Sequence, residues 1–298
     1  MKAEKILITG ADGFLGGYIT DYLRKNNVEV ETLGIQTTNN LAYDLTKPIP
    51  NFKVSYDMVV HCAGKAHIIP KNTSEAKQFF DINYKGTQNL CFALENCKPK
   101  AFIFISTIAV YGLDSGENIK ESVPLLGNTP YAKSKIKAEE FLQSWCEKNE
   151  VNLVILRLPL LAGANPKGNL ESMIRGIKKG YYFNIAGNNA KKSVVLAADV
   201  ASLIPSLIDK NGIYNLSGDK DYTFQEISAI ISRQLNHKRV LTLPLVMVRG
   251  AAVIGDVLPL PVNSGKLKKM MATLTISSEK AVKELNWKPQ SLEEKFKI

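Results

Sequence analysis

The sequence predicts an α/β protein with a doubly wound parallel sheet and a smaller α/β lobe towards its C-terminus. Three observations predict this fold class. Short apolar segments alternate with longer segments of helical period in the first half, a glycine-rich turn separates the first strand from the first helix, and the alternation changes after Gly163. With 298 residues, the chain can bury such a core without disulfides or metals.

Five short segments of the first half are rich in Ile, Val, Leu and Phe and predict strands. Strands that are buried on both faces have nearly continuous apolar sequences, so the pattern indicates a parallel sheet covered by helices on both sides. The predicted strands are Lys5–Thr9, Val28–Leu33, Met58–Cys62, Ala101–Ser106 and Val151–Leu158, and the predicted helices are Leu15–Lys25, Glu75–Asn96 and Tyr131–Lys148.

The second half predicts a separate, smaller lobe. We expect residues 1–163 to form the main domain, segments at about 194–216 to return to it, and residues 164–298 to form mainly the lobe. Thr223 and Glu226 have the spacing of a capping box and predict a helix start. The apolar stretch Leu241–Val262 contains Arg249, Asp256 and three prolines, so we interpret it as one or two buried helical segments rather than a membrane span.

The composition excludes several classes of protein. A strand pattern follows the first residues directly, which leaves no room for a signal peptide and predicts a cytoplasmic protein. The four cysteines lack metal-ligand spacing, so we expect free thiols and no metal. The net charge of +10 comes mainly from scattered lysines, which favours a solvated surface or an anionic small ligand, and we expect neither a nucleic acid nor a membrane partner.

The glycine-rich turn predicts a dinucleotide site. Gly10, Gly13 and Gly16 follow the first strand and precede an amphipathic helix. Glycines at these places permit a tight turn, close approach of a pyrophosphate to the backbone, and close packing of the helix on the strand. The helix N-terminus then offers N–H groups to the phosphates. The fold is therefore predicted to be of the Rossmann type.

A tyrosine and a lysine are predicted to form a proton-transfer pair. Tyr131 and Lys135 are four residues apart in a predicted helix and share one face. A free phenol titrates near ~10. A nearby ammonium and an oxidised nicotinamide favour the phenolate, which brings the group into the range of a general base.

These motifs resemble the extended short-chain dehydrogenase/reductase family, which includes the NAD-dependent epimerases and dehydratases. The resemblance covers most of the chain, from TGADGFLG at the start to the Leu285–Pro289 segment LNWKP. HCAG after the third strand, NYKGTQNL in the second helix and STIAVYG after the fourth strand are similar to family segments. The resemblance implies a Rossmann-type sheet, an NAD(P) cofactor, a homodimer paired through helices Glu75–Asn96 and Tyr131–Lys148, and a catalytic Thr107, Tyr131 and Lys135.

The resemblance also implies the residues that contact the cofactor. They belong to the glycine turn, the segment that holds the adenine, the turn under the cofactor, and the catalytic helix. They are Gly10, Asp12, Gly13, Phe14, Leu15, Gly16, Asp44, Leu45, Cys62, Ala63, Gly64, Asn83, Ser106, Tyr131, Lys135 and Pro159.

One family feature is absent from the sequence. The acid expected to bind the adenosine ribose is replaced by Gly34, and Glu31 lies too early in the strand. No Arg or Lys lies between Thr32 and Thr46 to hold a 2′-phosphate. The choice between NAD and NADP therefore stays open, and NAD is slightly favoured.

The substrate side is implied by similarity to UDP-hexose 4-epimerase-like and 4-ketoreductase proteins. Their RPPLVYG and KGN segments are similar to Arg157–Gly163 and Lys167–Asn169 here. Asn169 is expected to contact the diphosphate, Lys192 to meet a phosphate as a point charge, and Lys65 and Thr107 to contact the substrate. For His67 a structural role is the favoured interpretation. Ala162 and Ala198 replace an expected tyrosine and aspartate, so details of the pocket are not transferred.

Three functions remain open at this point. Ile108-Ala109 replaces the acidic pair that dehydratases carry beside the threonine, so dehydration is disfavoured. The sequence favours a 4-epimerase that acts on a nucleotide-linked hexose and nearly equally a reductase of 4-keto-6-deoxy nucleotide sugars. A dinucleotide-sensing protein without catalysis is a remote alternative, because it would have no need of Tyr131, Lys135 and Thr107.

Overall fold

The computed structural model describes residues 4–66, 68–258 and 262–298. Its strands and helices are numbered in chain order. They are β1 (Lys5–Thr9), α1 (Phe14–Lys25), β2 (Glu29–Gly34), β3 (Leu41–Ala42), β4 (Met58–His61), α2 (Thr73–Phe80), α3 (Gly86–Ala93), β5 (Ala101–Thr107), β6 (Gly116–Ile119), α4 (Pro130–Lys148), β7 (Asn152–Leu158), β8 (Leu160–Ala162), α5 (Asn169–Lys179), β9 (Phe183–Ile185), β10 (Lys191–Leu196), α6 (Ala197–Leu203), β11 (Gly212–Asn215), β12 (Asp221–Thr223), α7 (Phe224–Gln234), β13 (Leu241–Leu243), α8 (Leu245–Gly255), α9 (Ser264–Met271), β14 (Leu274–Ile276), α10 (Glu279–Leu285) and α11 (Leu292–Lys295).

The main sheet has seven parallel strands in the order β11-β7-β5-β4-β1-β2-β3. The strand order reverses at β1, which pairs with β2 on one side and β4 on the other. In open α/β sheets, ligands bind beyond the carboxyl ends of the strands at this switch point. The predicted doubly wound Rossmann-type sheet is confirmed, and its switch point lies next to the glycine turn.

Helices cover both faces of this sheet and bury two apolar layers. Ile19 of α1 and Val200 of α6 pack on one face, and Leu90 of α3 and Leu142 of α4 pack on the other. All four side chains are fully buried. Burial of such a side chain is worth about 1.5–3 kcal/mol. These layers fix the two helices that carry the nucleotide turn and the catalytic pair.

A second sheet belongs mainly to the smaller lobe. Its path is β12-β10-β14-β6, and β8 pairs with β10. Strand β10, which includes the predicted strand Val194–Leu196, therefore lies in the second sheet and not in the main one. Strand β11, in contrast, joins the main sheet beside β7. The domain division at residue 163 stays a prediction.

Two predicted segments differ from the structure. The helix predicted over Glu75–Asn96 is divided by a π-helical turn at Asp81–Lys85. The stretch Leu241–Val262 forms β13 and α8, and Pro259–Pro261 lie outside the described residues. Its interpretation as buried helix is wrong, because α8 buries only Val248 and Ala252 and leaves its other apolar side largely exposed.

The four cysteines are free, with Cys91 and Cys146 buried. In the described part of the chain, no helix is both long and apolar enough to cross a bilayer.

Candidate active site

The glycine turn is closed by contacts that leave no space for side chains. Gly10 has φ +72°, and a Cβ there would lie 2.7 Å from the Ala63 backbone. A Cβ on Gly16 would overlap the Gly10 carbonyl oxygen. The Gly13 N–H donates to that same oxygen at 3.0 Å. Because the glycines have no Cβ, the backbones of β1, α1 and the turn after β4 can approach to direct contact.

The start of α1 fits a pyrophosphate. Its N-cap is Gly13, and no side chain caps the first turn, so backbone N–H groups there are available to an anion. The Phe14 ring packs edge-on against Tyr18 at 5.4 Å, and Leu15 is buried in the core. Leu15 can therefore reach a cofactor only through its backbone.

The predicted ribose end of the cleft contains an amide that was not predicted from the sequence. Asn39 Nδ2 donates to Asp12 Oδ2 at 2.6 Å, and the Asn39 side chain is buried. A Cβ on Gly34 would lie 2.7 Å from Asn39 Nδ2, so the amide fills the space that a side chain at the end of β2 would occupy. Glu31 instead accepts a hydrogen bond from the Tyr56 hydroxyl. The glycine in place of the acid was the only sequence signal for Asn39.

Asp44 and Leu45 are held beside α3. Asp44 Oδ1 accepts the Thr46 N–H at 2.9 Å, and the hydrogen bonds from Thr46 lower the pKa of the Asp44 carboxyl. The Leu45 carbonyl accepts Asn89 Nδ2 at 2.7 Å. The pair is thus fixed in place, and its contact with adenine stays a prediction.

The turn Cys62–Gly64 is supported by a buried histidine. His61 Nε2 donates to Thr87 Oγ1 at 2.9 Å, because the Thr87 hydroxyl itself donates to the Asn83 carbonyl. Thr9 Oγ1 then donates to His61 Nδ1 at 2.6 Å and accepts the Ala63 N–H. Burial and the nearby Lys135 ammonium lower the pKa of His61 to about 3. The imidazole is therefore a neutral structural group below the cofactor turn.

Asn83 connects this turn to the catalytic helix. Its Oδ1 accepts the Lys65 N–H at 2.6 Å, and its Nδ2 donates to Ser134 Oγ at 2.9 Å. A Cβ on Gly64 would lie 3.1 Å from Asn83 Oδ1 and 3.5 Å from Lys135 Nζ. Gly64 therefore leaves an open cradle between these two side chains, and the cradle and the uncapped α1 start fit a nicotinamide dinucleotide.

The structure brings Thr107, Tyr131 and Lys135 together. Thr129 caps α4 through the Ala132 N–H, and Pro130 occupies its first position, which places Tyr131 in the first turn. Thr107, at the end of β5, lies close enough to Tyr131 for its hydroxyl to affect the pKa of the phenol. Lys135 Nζ donates to the Ile105 carbonyl at 2.8 Å.

Burial shifts both titratable groups of this cluster. It lowers the pKa of Lys135 to about 8 and raises that of Tyr131, which the Thr107 hydroxyl partly offsets. Without a bound cofactor, the pKa of the Tyr131 phenol is therefore raised. The lowered pKa was expected only for the enzyme with an oxidised nicotinamide bound. An oxidised nicotinamide is cationic and would favour the phenolate.

Ser106 and Pro159 lie beside this cluster. The Ser106 hydroxyl donates to Glu139 Oε1, so its side chain points into a buried network rather than into open space. Pro159 separates β7 from β8. Their contacts with a cofactor stay predictions.

An open groove lies between the turn after β4 and the start of α5. Its volume is about 460 Å³, and it is lined by Ala66, Lys167, Gly168, Asn169, Glu171 and Ser172. Asn169 is the first residue of α5, whose N-cap Gly168 has φ +72° and offers no side-chain cap. Lys167, Gly168 and the α5 start can together offer a cation and N–H groups to an anion, and the contact of Asn169 with a diphosphate stays a prediction.

The predicted substrate residues lie at different places. Lys65 Nζ donates to Gln78 Oε1 at 2.5 Å and lies over the Phe79 ring, which itself packs beside Tyr131 at 6.1 Å. Lys65 is thus near both the groove and the catalytic cluster. Lys192 Nζ donates to the Lys269 and Ala272 carbonyls, and burial lowers its pKa. The ammonium of Lys192 is therefore bound by the smaller lobe, and its phosphate role stays a prediction. His67 lies outside the described residues.

The sequence profile of the NAD dependent epimerase/dehydratase family matches residues 6–217. The chain belongs to this family. The match spans the glycine turn, the Thr107-Tyr131-Lys135 cluster and the groove at Asn169, and it confirms the recognition of an NAD(P)-dependent enzyme that the motifs predicted.

Curated relatives cover nearly the whole chain. It is 26% identical, over 93% of its length and 88% of the relative's, to N-acetyl-alpha-D-glucosaminyl-diphospho-ditrans,octacis-undecaprenol 4-epimerase of Escherichia coli O157:H7. It is 28% identical to UDP-glucose 4-epimerase of Vibrio cholerae, over 99% of this chain and 94% of that one. The structure of UDP-glucose 4-epimerase from Thermus thermophilus in complex with NAD superposes with a TM-score of 0.74 at 21% identity, over 96% and 94% of the chains, which confirms the fold.

Proposed function

We propose that the protein is a 4-epimerase of a nucleotide-linked hexose, with UDP-hexose as the substrate class. The observation that carries this proposal is the position of Thr107 beside Tyr131 and the buried Lys135, with Ile108-Ala109 directly after Thr107. These side chains can move a proton at a sugar hydroxyl. Neither of the two residues directly after Thr107 has a carboxylate that could remove a carbon-bound proton, as dehydration would require.

The residues act on the sugar 4-hydroxyl in sequence. Thr107 hydrogen-bonds the reacting oxygen, and Tyr131 Oη accepts its proton as the C4–H bond breaks. The Lys135 ammonium stabilises the negative charge that Tyr131 carries before this transfer. NAD(P), held by the glycine turn at the start of α1 and the Gly64 cradle, would supply the hydride acceptor and donor. Once the hydride has been added to the opposite face of carbon 4, Tyr131 gives the proton back to the C4 oxygen.

In an epimerase, the keto-sugar must rotate between the two hydride transfers so that its other face meets the nicotinamide. The groove of about 460 Å³ beside Asn169 is open, and this supports such a turn with the diphosphate retained at Lys167 and the α5 start. By name, the relatives from E. coli O157:H7 and V. cholerae are 4-epimerases of sugars linked through a diphosphate. The diphosphate is attached to undecaprenol in the first and to uridine in the second. The shared sugar diphosphate agrees with an anion site at the α5 start.

We infer that NAD is the preferred cofactor. Asp12 and Asn39 fill the ribose end of the cleft, and the carboxylate of Asp12 would repel a 2′-phosphate. The loop between Thr32 and Thr46 supplies no Arg or Lys to compensate.

We further propose that the protein forms the homodimer that the family resemblance implies. Phe92 on α3 is 56% exposed and contacts Phe141 on α4 edge-on, and Tyr84 packs against the same ring. This aromatic surface lies on the two predicted pairing helices. The cytoplasmic location and the absence of a nucleic acid partner stay predictions.

One preparation tests the epimerase and the cofactor together. Protein purified without added cofactor is denatured, and the released nucleotide is identified by chromatography. Native protein from the same batch is incubated with UDP-glucose and with UDP-N-acetylglucosamine. We expect bound NAD and formation of the 4-epimer. A nucleotide-free protein that consumes NADPH with a 4-keto-6-deoxy nucleotide sugar and forms no epimer would establish the reductase instead.

A further inference from the structure

Helix α8 exposes an unusual amount of apolar surface. Six apolar side chains on α8 and the turn after it are between 53% and 87% exposed. Positions 246, 250, 253 and 257 follow the three- and four-residue spacing of one helix side, and Gly250 at its centre has open space around it. The six are Val246, Met247, Val253, Ile254, Val257 and Leu258. We call them the α8 face.

The α8 face is held outward by the packing of the opposite side. Val248 and Ala252 are buried against Leu267 of α9 and Ile185 of β9. Asp256 Oδ1 accepts the Ser264 N–H at 2.9 Å, which fixes the end of α8 to the start of α9. The exposed apolar side is therefore a property of the folded lobe and does not result from a loose helix.

The charge around the α8 face is strongly positive. Residues 238–272 contain six Lys or Arg and a single acid, which gives a net charge of +5 out of +10 for the whole chain. Arg249 is exposed on α8 itself, and Lys266 and Lys268 are exposed on α9, which packs against it. The one acid, Asp256, is hydrogen-bonded by Ser264. Lys269 lies 3.4 Å from Asp114, which partly neutralises its charge, and the segment that carries the α8 face keeps a net positive charge.

We propose that the α8 face binds the surface of an anionic lipid bilayer. An interfacial helix lies in the membrane plane, with its apolar side buried to about 5–10 Å and basic residues near the headgroups. The α8 face has both properties. Binding of this kind needs no membrane-spanning segment. The proposal replaces our expectation of no membrane partner, which did not consider a helix that lies on the bilayer surface.

A second copy of the chain is a poorer occupant of this surface. Two α8 faces brought together would place two segments of +5 against each other, which is repulsive. The proposed dimer surface at Phe92 and Phe141 lies on other helices. Anionic headgroups instead neutralise the basic residues while the acyl region takes up the apolar side chains. Binding of the α8 face to a bilayer does not depend on the proposed catalytic function.

Vesicle sedimentation tests the proposal with the full chain. We expect binding to phosphatidylglycerol-containing vesicles to be at least about tenfold stronger than to phosphatidylcholine vesicles, and to weaken in high salt. The double variant Val253→Ser/Ile254→Ser should lose at least about tenfold of the binding. The matched control Val282→Ser/Ile35→Ser removes two equally exposed apolar side chains elsewhere and should bind as the wild type does.

A charge variant separates the electrostatic contribution to vesicle binding from the apolar contribution. Arg249→Gln/Lys268→Gln should weaken binding to anionic vesicles by about fivefold per charge and leave binding to neutral vesicles unchanged. Thermal unfolding of each variant checks that the fold is kept. The proposal is overturned if the wild type does not prefer anionic vesicles, or if the α8 and control variants bind equally. It is also overturned if Val253→Ser/Ile254→Ser converts a dimer to a monomer in ultracentrifugation without changing vesicle binding.

Discussion

Arg157 Nη2 lies 2.6 Å from Glu139 Oε2, and both side chains are buried. Glu139 also accepts a hydrogen bond from Ser106. The carboxylate therefore joins α4, one turn after Lys135, to β5 and β7 in the main sheet. These contacts fix the position of α4, which carries Tyr131 and Lys135, relative to Thr107 at the end of β5.

Removal of the Glu139 charge is expected to destabilise the protein strongly. Glu139→Gln leaves the Arg157 guanidinium buried without its counter-charge, which costs about 3–5 kcal/mol in the free energy of unfolding. Glu279→Gln breaks an exposed ion pair with Lys120 and should cost about 1 kcal/mol or less. Urea denaturation measures both. Equal small losses would show that the buried pair does not fix α4.

Two neighbouring glycines should respond very differently to alanine. A Cβ on Gly16 overlaps the Gly10 carbonyl, whereas a Cβ on Gly17 makes only ordinary contact, 3.5 Å from the Ala11 carbonyl oxygen. We expect Gly16→Ala to cost about 1–3 kcal/mol in stability and at least about tenfold in cofactor affinity. Gly17→Ala should keep both. Calorimetric titration with NAD distinguishes them, and tight NAD binding by Gly16→Ala would contradict the close backbone turn.

Acid should destabilise the protein through His61. Its pKa is lowered from 6.5 to about 3, so between these values the unfolded chain binds a proton that the folded chain does not. Stability therefore falls as the pH drops below 6.5, by on the order of 4 kcal/mol near pH 3 for this group.

The urea midpoint as a function of pH checks this prediction. His61→Gln should flatten the loss of stability between pH 6.5 and pH 3, because an amide does not titrate. The exposed His237→Gln serves as the control and should follow the wild-type curve. An unchanged slope in His61→Gln would show that the buried imidazole is not the group responsible.

The main sheet was predictable because burial on both faces makes its strands continuous apolar runs. The same logic failed for Leu241–Val262. A segment that is apolar on all sides predicts burial, but α8 is packed on one side only, and nothing in its local sequence shows which side meets α9. The π-helical turn that contains Asn83 also escaped prediction, because one extra residue per turn barely changes the helical spacing of apolar side chains.

The candidate site was predictable where motifs fix neighbours and not where distant segments meet. Tyr131 and Lys135 lie on one helix, so their spacing determines their relation. Asn39 reaches Asp12 across 27 positions of the chain, and Glu139 reaches Ser106 across 33. Such contacts depend on the tertiary packing of loops and helices, which no local pattern encodes.

The central claim is that Tyr131 carries the proton of the reacting hydroxyl. The initial rate of 4-epimerisation of a UDP-hexose by Tyr131→Phe, with NAD binding measured on the same protein, tests it most directly. The expected loss is about 10²–10⁴-fold in rate with NAD affinity kept, because only the proton-transfer group is removed. Tyr181→Phe, at an exposed tyrosine, should keep the wild-type rate. A rate for Tyr131→Phe within a few fold of the wild type would contradict the account.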